Sequence, residues 1–165
     1  KHKLIKRNLE IITKIEVYQY NELSSVQKKL VDKAKDTTKN AYCPYSKFSV
    51  GVAIMLANDE IIVGTNQENA AYPSGICAER TAMFYANSQF PHIAPTSMAI
   101  AAFHNGDFKE EAISPCGSCR QVLLETEIRF NKDIEIILYG KKEILIIKSI
   151  KDLLPLSFVA KSLTT

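Results

Sequence analysis

Cys77-Ala78-Glu79 and Pro115-Cys116-Gly117-Ser118-Cys119 fix what the rest of the chain must build around them. Thiolates at i and i+3, as at Cys116 and Cys119, can converge on one metal ion. Cys77 supplies a third, and a tetrahedral zinc with three protein ligands keeps one position for water. Open coordination is the mark of a catalytic metal, whereas structural zinc sites are closed by four ligands. Both blocks fall where helices are expected to begin. Ser74 is a plausible cap for an apolar helix over residues 76–88, and Ser114-Pro115 is expected to open another running to about Arg129.

Working outward, Val26, Leu30, Val31 and Ala34 repeat at helical spacing, so residues 24–39 are expected to form an amphipathic helix capped by Ser24 or Ser25. Tyr42 to Ser46 is turn-like. Residues 48–56 are rich in strand formers, and Asn58-Asp59 turns the chain into 60–64, giving a β-hairpin. Strands are expected at 96–103, 134–139 and 143–147, and Ser149 caps a short turn to Leu154 that Pro155 stops. The order β-β-α-β-α-β-β implies a mixed sheet covered by helices.

The placement of the cysteines at helix starts has an electrostatic reason, because free N–H groups and the helix dipole favour anionic sulfur. Three thiolates still over-neutralise Zn²⁺ and leave the site near −1. Arg80, beside Glu79, and Arg120, beside Cys119, are the candidates to offset that charge by donating hydrogen bonds to ligand sulfur. Zinc lowers the pKa of bound water to roughly 7, which supplies hydroxide at neutral pH. Glu79, out of ligand register with Cys77, is the candidate to shuttle the proton. A closed site remains an alternative, with Cys43, His92 or His104 as fourth ligand; Cys43 otherwise reads as a buried inert thiol.

A chain of 165 residues that is 46% apolar suits one compact core. The net charge of +3 is concentrated at the start: Lys1, Lys3, Lys6, Arg7 and Lys14 against Glu10 leave the remainder at about −1. That near-neutral body offers no basic stripe for phosphates, so no nucleic-acid partner is expected. The basic start reads as a solvated extension. No apolar run approaches a membrane span, and Leu4, Ile5, Leu9, Ile11 and Ile12 are too broken by charge for a secretory segment, so no membrane partner is expected and a cytoplasmic location is. Clustered cysteines in a reducing compartment point to metal rather than to two disulfides.

Cys-Ala-Glu-Arg-Thr-Ala at 77–82 and Pro-Cys-Gly-Ser-Cys-Arg-Gln at 115–121 closely resemble the cytidine deaminase family, in its small homotetrameric branch. Tyr42 to Phe48, Gly64 to Pro73 and Leu153 to Phe158 resemble further blocks of that family in the same order. The resemblance covers roughly residues 22–160 and implies a three-layer α/β/α sandwich with a mixed five-stranded sheet. It divides the chain into an N-terminal extension, 1–21, and a catalytic domain, 22–165.

The resemblance implies one zinc per subunit held by Cys77, Cys116 and Cys119. Hydroxide would add to C4 of cytosine, with Glu79 protonating N3 and then the departing amine, so that cytidine or 2′-deoxycytidine gives the uridine and ammonia, a step of pyrimidine salvage. Asn66 and Glu68 match ribose-hydroxyl ligands, and an amide and a carboxylate two apart on an extended segment can address one sugar hydroxyl. Phe48 matches the residue packing on the base, though a strand aromatic also serves a core. Ala78 N–H matches the donor to the pyrimidine O2. Ala70 and Tyr72 match groups reaching the 5′-hydroxyl in a neighbouring subunit, and Phe158 an aromatic closing over the base across an interface. Val159-Ala160 depart from the Gly-Pro common at that point. Competing readings are a deaminase of modified cytosine nucleosides, a polynucleotide-editing enzyme, and a noncatalytic zinc-stabilised module.

Overall fold

The computed structural model describes residues 7–163. Of the basic start, Lys1, Lys3 and Lys6 lie outside the described residues, as do Leu4 and Ile5. A mixed sheet runs in the order β1-β7-β6-β4-β2-β3, with a short β5 paired to β4. Its strands are β1 (Glu16–Tyr18), β2 (Ser49–Leu56), β3 (Ile61–Thr65), β4 (Pro95–His104), β5 (Asp107–Phe108), β6 (Glu135–Tyr139) and β7 (Ile144–Ile147). Among the described residues, only β4 and β6 are parallel neighbouring strands.

Alternation along the central strands explains the layers, since successive side chains of a strand point to opposite faces. Val52, Ile54 and Leu56 of β2 face one core with Met98 and Ile100 of β4 and Ile136 and Leu138 of β6. Ala53 and Met55 face the other with Ala99, Ala101 and Ile137. The first core is covered by α2 (Ala78–Gln89) and α3 (Gly117–Phe130), through Ala82, Met83, Leu123 and Leu124. The second is covered by α1 (Ser25–Thr37), through Leu30, Val31 and Ala34. The result is the expected three-layer α/β/α arrangement.

The five expected strands are present as β2, β3, β4, β6 and β7, but the sheet has seven, which corrects the count. The first addition, β1, pairs antiparallel with β7, Val17 opposite Leu145, so part of the N-terminal extension belongs to the sheet. The second, β5, is the return of a tight hairpin from β4 in which Asn105 and Gly106 take positive φ, 54° and 82°. Helix α1 starts as expected at a Ser24 cap, which forms a reciprocal capping box with Gln27.

The other two starts differ from expectation. Ser74 closes a 3-10 turn, Tyr72–Ser74, and α2 is entered from Cys77. Pro115 precedes the cap of α3, which is Cys116, whose sulfur accepts from Cys119 N–H at 3.5 Å. In both helices a cysteine holds the position that Ser, Thr or Asp usually takes.

Candidate active site

Cys77 and Cys116, at the heads of α2 and α3, bring their sulfurs to 3.8 Å from each other. Cys119, one turn into α3 and fully buried, places its sulfur 3.3 Å from that of Cys116. All three lie within 4.8 Å of one another, and they are the metal-ligating cluster among the described residues. Tetrahedral zinc with Zn–S bonds of about 2.3 Å needs sulfurs separated by roughly 3.8 Å, so the donor set fits that ion. Cys43 is not part of the cluster, because its sulfur contacts Ser49 Oγ at 3.2 Å. His104 is engaged elsewhere too, through Nδ1 and the Lys47 carbonyl at 3.0 Å.

The charge around the sulfurs is asymmetric. Arg80 Nη2 donates to Cys77 Sγ at 3.6 Å, and the guanidinium's Nε is buried without a partner. Cys77 is lowered to about 5, first by the hydrogen bond from the Cys119 thiol and then by Arg80. Cys119 moves upward for the converse reason, its proton being held against Cys77 in a buried setting. Zinc is bound by thiolates, so occupation of the site by that cation releases the thiol protons. Glu79, in the first turn of α2, is 6% exposed. Burial raises its carboxyl above the ordinary range.

Arg120 departs from its expected place. Its Nε donates to Pro115 O at 2.8 Å, Nη1 to Leu153 O at 2.7 Å and Nη2 to Ser114 Oγ at 2.8 Å. Planar guanidinium donors spent on those three acceptors are not directed at sulfur, so Arg80 alone of the two arginines bonds a ligand.

A cavity of about 830 Å³ opens over the cluster, lined among others by Phe48, Asn66, Glu68, Tyr72, Cys77, Ala78, Glu79, Arg80 and Cys116. The segment from Asn66 to Glu68 is held extended. Tyr42 N–H donates to Asn66 O, Glu68 N–H to Tyr42 O, and Gln67 exchanges both backbone bonds with Ile76. Asn66 also uses its side chain locally, accepting from Val50 N–H and donating to Phe48 O, both at 2.8 Å. An amide has four hydrogen-bonding positions, so two remain for a ligand. Glu68 Oε2 accepts from Tyr45 and Ser46 N–H at 3.0 and 3.2 Å. Its pKa is lowered, the Ser46 side chain contributing most.

Phe48 is half-buried at the cavity wall, its ring 5.6 Å from that of His104, and so belongs to neither core cluster. Ala70 and Phe158 lie outside the lining, and Tyr72 (79% exposed) and Phe158 (59%) project into solvent. Tyr45 and Ser114 line the cavity without having been singled out. The first sits inside the Tyr42 to Phe48 block and the second directly before Pro115, so position in those blocks was the available signal.

The model of the cytidine and deoxycytidylate deaminase zinc-binding region matches residues 24–131. The chain is 42% identical over 97 residues to a cytidine deaminase of Sporosarcina psychrophila, covering 59% of this chain and 67% of that protein. It is 41% identical over 96 residues to one from Halalkalibacterium halodurans, covering 58% and 68%. The fold matches the crystal structure of cytidine deaminase from Burkholderia pseudomallei, with a TM-score of 0.68 and 32% identity over 82% of this chain and all of that one. The three sulfurs that converge at the heads of α2 and α3 are therefore those of a zinc-binding region, and the chain belongs to the cytidine and deoxycytidylate deaminase family.

Proposed function

We propose that the protein hydrolyses cytidine and 2′-deoxycytidine to uridine and 2′-deoxyuridine with release of ammonia, as a cytoplasmic step of pyrimidine salvage. The observation that carries this reading is a buried carboxyl, Glu79, in one cavity with Cys77 and Cys116, whose sulfurs converge with that of the buried Cys119 beneath. Zinc bound there supplies an acidified water as nucleophile at neutral pH. Glu79 moves the proton, first to pyrimidine N3 and then to the departing exocyclic amine, and its burial at the head of α2 keeps bulk water from competing for it. Arg80 offsets the excess charge of the sulfurs.

Substrate recognition falls to the walls. Phe48 packs on the base, Ala78 N–H at the head of α2 donates to O2, and Asn66 and Glu68 take the ribose hydroxyls. The near-neutral body and a pocket with sugar ligands favour a free nucleoside over a polynucleotide, and the Asn66-Gln67-Glu68 block favours an unmodified ribose over other cytosine derivatives. Residues 22–165 form the catalytic domain, with 1–21 an extension that lends β1.

Ala70, Tyr72 and Phe158 are outward-facing, which suits sites shared between subunits of a homotetramer. The test is an ultraviolet assay of cytidine conversion with metal analysis of the same preparation. Turnover with about one zinc per chain is expected. Bound zinc without turnover of either nucleoside would overturn the activity, and no zinc would overturn the site.

A further inference from the structure

Helix α3 does more than present Cys119. Along it, three side chains reach across to residues 149–158. Glu127, fully buried, accepts from Ile150 N–H at 3.0 Å and from Ser149 Oγ at 2.8 Å. Arg120 donates to Leu153 O at 2.7 Å, and Gln121 Nε2 donates to Phe158 O at 2.8 Å. The segment 149–158 is thus strapped lengthwise to the helix that carries two of the sulfurs. Arg120 differs from the other two straps because it also grips Pro115 O and Ser114 Oγ, the residues immediately before Cys116.

We propose that Arg120 is a positioning residue that fixes the Ser114 to Cys116 loop against the C-terminal segment and thereby holds Cys116 in metal-binding register. The physical basis is the guanidinium's planar fork. Its donors point in fixed directions, so an acceptor pinned on one side sets where the acceptors on the other side must lie. Leu153 O is pinned, because Glu127 anchors the turn Ile150–Leu153 at its start. Cys116 needs such help, since it is exposed and a helix cap rather than a helical residue. The inference rests on the proposed function only for the zinc, which wild-type metal content checks first.

The test compares Arg120→Ala, Ser114→Ala and Gln121→Ala in the full chain. Zinc release to a chromogenic chelator, the charge-transfer and ligand-field bands of the cobalt(II)-substituted protein, and proteolysis of the C-terminal segment are measured on each. Removing a group that orients a metal ligand typically weakens binding about ten- to a hundredfold, and Arg120→Ala is expected to speed zinc release on that order. It should also alter the cobalt bands and expose the tail. Ser114→Ala should speed release to a smaller extent while the tail stays protected. Gln121→Ala should expose the tail and leave release and spectrum as in wild type. If Arg120→Ala does not fold, the contrast between Ser114→Ala and Gln121→Ala decides. Wild-type release and spectrum in both Arg120→Ala and Ser114→Ala, or release in Gln121→Ala as fast as in Arg120→Ala, overturns the proposal. A wild-type protein lacking zinc instead overturns the metal site itself.

Discussion

Gly64→Ala tests how tightly the site depends on the sheet beneath it. Gly64 is buried in β3, and a Cβ there would stand 2.6 Å from Ala82 N, 2.8 Å from Ala78 O and 2.8 Å from Ala82 Cβ. Two of those atoms are helix backbone, so no flexible side chain can swing aside. Helix α2 must retreat by roughly 0.8 Å to restore ordinary contact, and overpacking of this kind costs about 1–3 kcal/mol. For a domain of this size each kcal/mol lowers Tm by about 2–4 °C, so a fall of about 2–12 °C is expected. Activity should suffer more than stability. Ala78, Glu79 and Cys77 ride on the end of α2 that is pushed, and a displacement of about 1 Å can cost 10²-fold in rate. The assay is thermal unfolding together with cytidine turnover well below the melt. The control is Gly117→Ala, where a Cβ meets nothing within 4 Å. Wild-type Tm and turnover in Gly64→Ala would refute the reasoning, as would an equal loss in Gly117→Ala.

Glu79→Gln should keep its zinc while kcat falls by about 10²–10⁴-fold, the usual span for a lost general acid/base, and unaltered kcat would remove Glu79 from the chemistry. Arg80→Gln should weaken zinc retention or turnover, because Cys77 loses its cationic donor; metal titration and kinetics showing wild-type values would mean that another group balances the sulfur charge. Glu127→Ala should be strongly destabilising, on the order of 1–3 kcal/mol for each buried donor left unpaired at Ile134, Ser149 and Ile150, as read by urea unfolding. Phe158→Ala should raise KM for cytidine, and mixing it with Glu79→Ala protein should restore some turnover once subunits exchange; no recovery after verified exchange would count against shared sites.

What the sequence disclosed follows from how local each signal is. The strands β2, β3, β4, β6 and β7 were readable because apolar runs end at turn residues, and the metal cluster because i, i+3 cysteines share a helix head. Strand β1 was not, since Glu16-Val17-Tyr18 is a strand only by virtue of the β7 edge far along the chain. Strand β5 does carry a local signal, the Asn105-Gly106 pair of a tight hairpin, but its two residues are too short a run to stand out as a strand. The helix starts were misplaced because Ser74 and Ser114 resemble caps, whereas cysteine took the capping positions. Adjacency to Cys119 points Arg120 at sulfur, but its actual partners lie elsewhere. Two of its partners are backbone carbonyls, which carry no side-chain signature, and one of them is 33 residues distant.

Strand β7 reads Ile-Leu-Ile-Ile, and without β1 its outer rim would offer a row of free amides and carbonyls flanked by branched aliphatic side chains. Such a rim is a template for any other chain that can extend alongside it, including an identical one. The three residues of β1 occupy it, and Glu16 adds a charge there through its ion pair with Lys148 at 3.4 Å. Because β1 covers that rim with a short, charged strand, removing the residues before Gln19 is expected to raise light scattering on concentration while every cavity-lining residue stays in the chain; unchanged scattering would deny β1 any role as a guard against self-adhesion.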